Sequence, residues 1–535
     1  DRVVVGIGDH RAPRTLNPFL DGPDTAVLDL IGPAFLARGY DIDPVTRRPV
    51  PDALEAIPTP ANGGITVNPD GTMDVVVRVD PAARWADGTP MSADDLAFTI
   101  ATVTDPALPI RTDLRERYGR IVAGSVRASG PELTFRMDID SSVELLFDVI
   151  LPAHVVAGTD FVAAWNESMW VSGGPFEVES YQPGRYLALR RNERYWKVDA
   201  ASGERLPGFD RLVVRLFEPV AEPDPPLQQA FQRGDVVVAV MAVPIGVADP
   251  YLELESEGAV VVAAPGLAWE QVNFQFGPGN RNPASLGEHL RFRQAVARAI
   301  DRAALAGRRG TSPLDSALRP YLPELAGDPW APYAYDPAAS AALLLALEEE
   351  LGTDLSAGPG PSLVLTTSAD SPATAAMAAD LMAMLNEAGI SAELQLEKPA
   401  LFFGETLDDG TWDAAAWRLE GTPGRSGAIA FVELFDPDGL PLAGVNLVRW
   451  GTAGNAAAAR YAEILYGLAE TIDPAEIDRL LLEAEAILAD EAVLIPLIVH
   501  EQSGAVVWTD RVAGVSANPA QSELWDVERW RSPAG

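Results

Sequence analysis

The sequence has 535 residues, of which 47% are hydrophobic, a length that requires two or three folding units and supplies ample core for each. Its formal net charge of −37 argues against nucleic acid and against anionic lipid surfaces, whose phosphates would be repelled. The absence of cysteine excludes a disulfide framework, a thiolate nucleophile and a Cys-ligated metal. The basic residues are nearly all Arg, with only Lys197 and Lys398 as lysines, which reads as a coding bias toward G and C. Every apolar run falls short of the roughly 18 residues that a membrane helix needs.

Asp1-Arg2 leads straight into Val3–Ile7, which reads as a first strand with no signal peptide ahead of it. Thr15-Leu16-Asn17-Pro18-Phe19 carries a turn, and Asn68-Pro69-Asp70-Gly71-Thr72 a tight hairpin. Val75, Val77 and Val79 alternate with Val76, Arg78 and Asp80, as in a half-buried strand. Arg84–Leu96 reads as a strand end, an Asp-Gly turn and a helix start. Ser92 is its N-cap and Asp95 lies near its positive end. A further alternating strand spans Pro131–Ile139. In Leu290–Arg302 (LRFRQAVARAIDR), Phe292, Ala295, Val296, Ala299, Ile300 and Ala303 share one helical face. Arg293, Gln294, Arg298, Asp301 and Arg302 fill the remaining positions, and Gly307 is the expected stop, so a surface helix is predicted. Asp380–Ile390 forms another amphipathic helix closed by Gly389, and Gly358-Pro359-Gly360-Pro361 reads as a linker or turn.

Several of these stretches are spelled more specifically than their patterns require. The helix R-Q-A-V-A-R-A-I-D-R, following Val272-Asn273-Phe274, resembles the extracytoplasmic substrate-binding proteins of ABC transporters, family 5, the peptide- and nickel-carrying class. Trp85-Ala86-Asp87-Gly88-Thr89-Pro90-Met91-Ser92-Ala93-Asp94-Asp95-Leu96 is similar to that family's W-x-D-G-x-P-x-T/S-A-x-D-V signature. Ser172-Gly173-Gly174-Pro175-Phe176 with Arg190–Trp196 (RRNERYW) resembles its G-T/S-G-P-Y/F and R-N-x-x-Y-W steps, with Gly-Gly standing where Thr-Gly is usual. Tyr335-Asp336-Pro337, Trp412-Asp413-Ala414 and Ile487–Leu497 extend the resemblance over nearly the whole chain.

The resemblance implies an α/β protein of two lobes, a type II periplasmic-binding-protein-like fold with an extra domain and a hinge of two crossing strands. The implied segments are 1–50, 166–265 and 485–535 for lobe 1, an inserted domain at 51–165, and lobe 2 at 266–484. It implies a monomer outside the cytoplasmic membrane, lipid-anchored through a Cys preceding Asp1. The ligand would be a peptide-like solute delivered to an ABC permease. The sequence also resembles an actinobacterial lipoprotein branch of this fold, through Leu151-Pro152-Ala153-His154, Ser172–Phe176 and Leu524-Trp525-Asp526. That branch acts in phosphatidylinositol-mannoside and lipoglycan assembly, and there the partner would be a glycolipid or a cell-wall biosynthetic membrane protein.

Catalytic chemistry finds no constellation. His10, His154, His289 and His500 have no ligand-spaced partner, so no metal is expected, and each reads as structural or solvent-exposed. There is no G-x-S-x-G elbow and no phosphate-binding glycine loop; Gly6-Ile7-Gly8 opens like one and fails downstream. The adjacent pairs Asp94-Asp95 and Asp408-Asp409 read as solvated turn residues. No cofactor is expected, and the chain does not read as an enzyme. By the resemblance, the loop after the Trp412–Ala415 strand holds the carboxylate that anchors a peptide's α-amine. Here it reads Trp417-Arg418-Leu419-Glu420-Gly421, with Glu420 its acid and Arg418 an unexpected cation. Trp417, Arg418 and Glu420 are the candidate ligand residues, and Trp269 and Tyr40 complete the set.

Overall fold

The structure is a computed structural model. It describes the chain apart from residues 9–12, 23–24, 166–168, 170, 184, 219–225, 241–250, 252, 278, 281, 283, 356–360, 370–371, 442–443, 452–453 and 534–535, and apart from the side chains of 501–504. His10 and the Gly358-Pro359-Gly360 turn lie outside the described residues.

The strands in chain order are β1 (Arg2–Gly8), β2 (Tyr40–Ile42), β3 (Pro49–Pro51), β4 (Ile65–Val67), β5 (Thr72–Arg78), β6 (Arg127–Ser129), β7 (Glu132–Asp138), β8 (Phe176–Gln182) and β9 (Tyr186–Arg191). They continue with β10 (Arg211–Phe217), β11 (Val238–Val240), β12 (Ala259–Phe274), β13 (Ser312–Pro313), β14 (Ser362–Ser368), β15 (Ser391–Glu397), β16 (Ala414–Leu419) and β17 (Leu494–Trp508). Two compact units divide them. Unit 1 comprises Asp1–Pro44, Arg48–Ala264 and Gln502–Gly535; unit 2 comprises Val45–Arg47 and Pro265–Glu501. The long strands β12 and β17 contribute residues to both units.

Unit 1 carries the strand order β17-β11-β1-β10-β9-β8 and a separate antiparallel sheet β4-β5-β7-β6. The predicted alternation is present: Val75 and Val77 in β5 and Val79 just beyond it are all buried. The helix after it, Ala93–Thr104, starts at Ser92 as the sequence predicts. Asp95, however, is buried, which corrects its reading as a solvated turn residue. Its carboxylate accepts from Ser92 N at 3.0 Å, Trp85 Nε1 at 3.2 Å and Ala153 N at 2.8 Å. Burial raises its pKa, and these three donors act against that rise. The signature thus ties a strand end, a helix start and the Leu151-Pro152-Ala153 step into one corner. Asn192 does the same for the next motif, donating to Gly174 O at 2.9 Å and accepting from Arg194 N at 3.0 Å. A side chain at Gly174 would meet the Phe35 backbone at 2.8 Å, which explains the glycine.

Unit 2 carries the order β15-β14-β16-β12-β17, with β13 on β17. Its core includes Trp269, Phe274, Phe292, Val296, Tyr321, Trp330, Trp412, Phe431 and Trp450. The helix predicted over Leu290–Arg302 ends at Ala299. Ile300 is extended, and Asp301 caps a second helix, Arg302–Gly307, by accepting from Ala304 N at 2.8 Å. The local capping energy of Asp301 overrides the continuing periodicity. Gly307 is the last residue of that second helix. Arg293 and Arg302 are buried, not on a solvated face. Arg293 donates to Gly287 O and Glu288 O at 2.9 Å and to Glu491 O at 2.6 Å. Arg302 donates to Leu314 O at 2.9 Å, Trp330 O at 3.1 Å and Tyr333 O at 3.2 Å. Each fork satisfies loop carbonyls that would otherwise be buried without donors.

Candidate ligand site in unit 2

β12 and β16 run antiparallel, with Trp269 opposite Leu419, Glu270 opposite Arg418 and Gln271 opposite Trp417. Side chains alternate along each strand, so Glu270 and Arg418 share one face and Gln271 and Trp417 the other. Trp417 is half-buried and meets Trp412 edge-to-face, with ring centroids 6.0 Å apart. Arg418 and Glu420 are exposed, and their side chains pair at 3.3 Å. The structure therefore brings Arg418 and Glu420 together at the end of β16, with Trp417 on the opposite face.

Trp269 lies across from them but is fully buried. Its Nε1 donates to the Tyr321 hydroxyl at 3.2 Å, and its ring packs edge-on against Phe431. Burial pushes the Tyr321 phenol up to about 12. Tyr321 also shapes the loop after β16. Its carbonyl accepts from Gly424 N at 3.1 Å, and its ring leaves no room for a side chain at Gly421. Gly424 takes a positive φ of 81°. Those two glycines set the path that presents Glu420. Tyr40 belongs to unit 1, where it is buried in a small cluster with Ile42 and Leu145. Its hydroxyl donates to Leu145 O at 3.1 Å, and burial raises its pKa.

Residues absent from the predicted set join the site. His500 Nε2 lies 3.0 Å from Glu270 Oε1, and a carboxylate partner requires that nitrogen to carry the proton. Glu270 is buried, and its Oε2 has no hydrogen-bond partner. On the opposite face, Gln271 Oε1 and both amide atoms of Asn273 are likewise buried without partners. The pair spans 230 residues, so no spacing rule in the sequence reveals it. His154 similarly meets Asp87 at 2.9 Å within unit 1. The one local signal was the string Glu270-Gln271-Val272-Asn273, polar residues inside an otherwise apolar strand. Among the described residues, no cluster of three His, Asp or Glu is arranged to hold a metal ion. No described helix is long and apolar enough to cross a membrane.

Residues 55–430, more than half of the chain, match the model of the bacterial extracellular solute-binding proteins, family 5. The chain belongs to this family. A solved structure of a putative peptide binding protein AppA from Clostridium difficile superposes with a TM-score of 0.68 at 14% identity, covering 99% of this chain and 100% of that one. It shares the family's two-lobed type II fold. A putative binding protein of Brucella melitensis is 26% identical over 174 residues, 32% of this chain, and the match spans only 27% of that relative's length. The probable monoacyl phosphatidylinositol tetramannoside-binding protein LpqW of Mycobacterium tuberculosis is 26% identical over 474 residues, 76% of this chain and 70% of LpqW.

Proposed function

We propose that this family 5 chain is an extracytoplasmic receptor that closes its two lobes on a peptide-like solute and delivers it to an ABC permease. The observation that carries the reading is the set of unsatisfied polar atoms along β12: Gln271 Oε1 and the Asn273 amide on the face of the half-buried Trp417, and Glu270 Oε2 on the face of Arg418. Buried polar atoms are costly without partners, and an extended ligand rich in N–H and C=O groups supplies them. Glu270 is the better anchor for an amine: its Oε2 is buried without a partner, whereas Glu420 is exposed and paired with Arg418. The proposed closure follows the five-segment division set out above. The chain acts by binding, without a catalytic step of its own.

A second reading has a specific observation behind it: the LpqW match extends over most of both chains. On that reading the chain is a lipid-anchored scaffold or regulator in glycolipid assembly, with a glycolipid or a biosynthetic membrane protein as partner.

Native mass spectrometry of the protein purified from its own host, with extraction of any bound molecule, separates the two. A ladder of peptide masses supports the receptor, and a single glycolipid mass supports the scaffold. Protein isolated with no small molecule at all counts against both ligands. With a peptide in hand, Glu270→Gln should weaken binding about tenfold and Glu420→Gln about twofold or less. The reverse order would return the amine anchor to Glu420.

A further inference from the structure

We propose that a groove in unit 1, rimmed by Arg2, Arg215 and Arg511, binds a phosphate-bearing small anion. This inference stands apart from the ligand reading of unit 2. The groove has a volume of about 490 Å³, within the range of small-molecule sites, and Val4, Val213, Gly234, Asp235 and Val237 complete its lining.

The arginines converge because of strand register. β1 and β10 are parallel, with Arg2 opposite Arg211, Val4 opposite Val213 and Gly6 opposite Arg215. All six residues therefore lie on one face of the sheet. Further along that face Leu227 packs over Gly6, where no side chain would fit. At the Arg2 end, Val4 and Val213 form the floor and the arginines stand around it. Arg511 closes the third side, its guanidinium against Gly234, whose φ of +71° lets the loop pass beneath it.

The charges on this rim are not balanced internally. Arg211 is taken by Glu179. Asp235, the acid in the lining, is held by Arg233 at 2.9 Å. Arg511 has only a loose contact with Asp510 at 3.7 Å. Among the described residues, neither Arg2 nor Arg215 lies within ion-pair distance of a carboxylate; Arg215 sits over the Phe217 ring at 5.1 Å. On a chain of net charge −37, a cationic groove of this kind is out of keeping with the rest of the surface. Three arginines lining one groove offer guanidinium donors of the kind that bind phosphate oxygens. The volume exceeds that of phosphate alone, and the valine floor suits the carbon skeleton that carries it.

The test uses the whole chain at low ionic strength. One arm is calorimetric titration with glucose 1-phosphate, with glucose as the blank. The other is co-sedimentation with phosphatidylcholine vesicles, with and without phosphatidic acid. Saturable one-to-one binding is expected, lost with added salt and about tenfold weaker in Arg215→Gln or Arg2→Gln. Binding of the free sugar phosphate assigns a soluble ligand, and binding confined to phosphatidic acid vesicles assigns a lipid headgroup. No binding in either arm overturns the proposal. So does unchanged affinity in the R2Q/R215Q double variant with native circular dichroism.

Discussion

Unit 1 gathers carboxylates around one lysine, whereas in unit 2 several buried charges lean mainly on neutral dipoles. In unit 1, Lys197 bonds Asp52 and has Glu528 at 3.5 Å and Asp41 at 3.9 Å, its side chain only 18% exposed. Tyr195 donates to the same Glu528. Burial, helped by the neighbouring acids, pushes Asp52 up to about 7; burial pushes Glu523 to about 7 and Asp526 to about 6. In unit 2, Arg47, Arg293 and Arg302 cap main-chain carbonyls, and burial lowers Arg47 and Arg293 only to about 10. Asp413 accepts from Asn280, Asn282, Ser285 and Val364 N. Glu485 accepts from Ser316 and Leu318 N. The first arrangement titrates near neutrality, whereas Arg47 and Arg293 stay charged across the physiological range.

The strongest way to break this contrast is Lys197→Met. It leaves three carboxylates facing one another and should cost unit 1 about 3–5 kcal/mol at pH 8, less at pH 5 where Asp52 is protonated. Chemical denaturation at the two pH values checks it. Arg293→Met should cost unit 2 about 2–3 kcal/mol through orphaned carbonyls, equally at pH 5 and pH 8. A loss confined to pH 8 would place Arg293 with the titrating groups instead. Gly421→Ala should cost about 1–2 kcal/mol, because its methyl group meets the Tyr321 ring, and thermal unfolding reads it directly.

A further test of the contrast needs no mutation. Carboxyls whose folded pKa is raised contribute stability that is complete below their unfolded value near 4 and is lost as pH rises through about 6–7. Moving from pH 8 to pH 5 should therefore stabilise unit 1 by roughly 2–3 kcal/mol or more. Asp70, Asp74 and Asp199, held low by hydrogen bonds, are lost only below that range. Unit 2 should respond less, with Glu485 pushed up by burial and its arginines charged throughout. Hydrogen exchange followed in β1 and β10 against Pro474–Asp490 separates the two units.

Much of this fold was legible because its signals are local. Ser92 and Asp95 sit three residues apart, so the cap and its helix follow from spacing alone. The alternation of Val75, Val77 and Val79 announces a strand with one buried face. The break at Ile300-Asp301 was less legible, since an N-cap aspartate and a helical aspartate look alike in a continuing pattern. Arg293 and Arg302 were placed on a solvated face by charge, yet their partners are carbonyls from distant loops. In the candidate site, Trp417, Arg418 and Glu420 were reachable from one loop. Glu270 with His500 was not.

The sequence by itself determined the family, the order of elements and the cysteine-free, acidic character of the chain, because these depend on composition and on neighbours a few residues apart. The tertiary structure decided which charges are buried and which partners they meet. It joined Lys197 to Asp52 and Glu528, His500 to Glu270, and Arg2 to Arg215 on one sheet face. Such pairings join residues far apart in the chain, and strand register, which no local pattern encodes, brings them within hydrogen-bond or charge range.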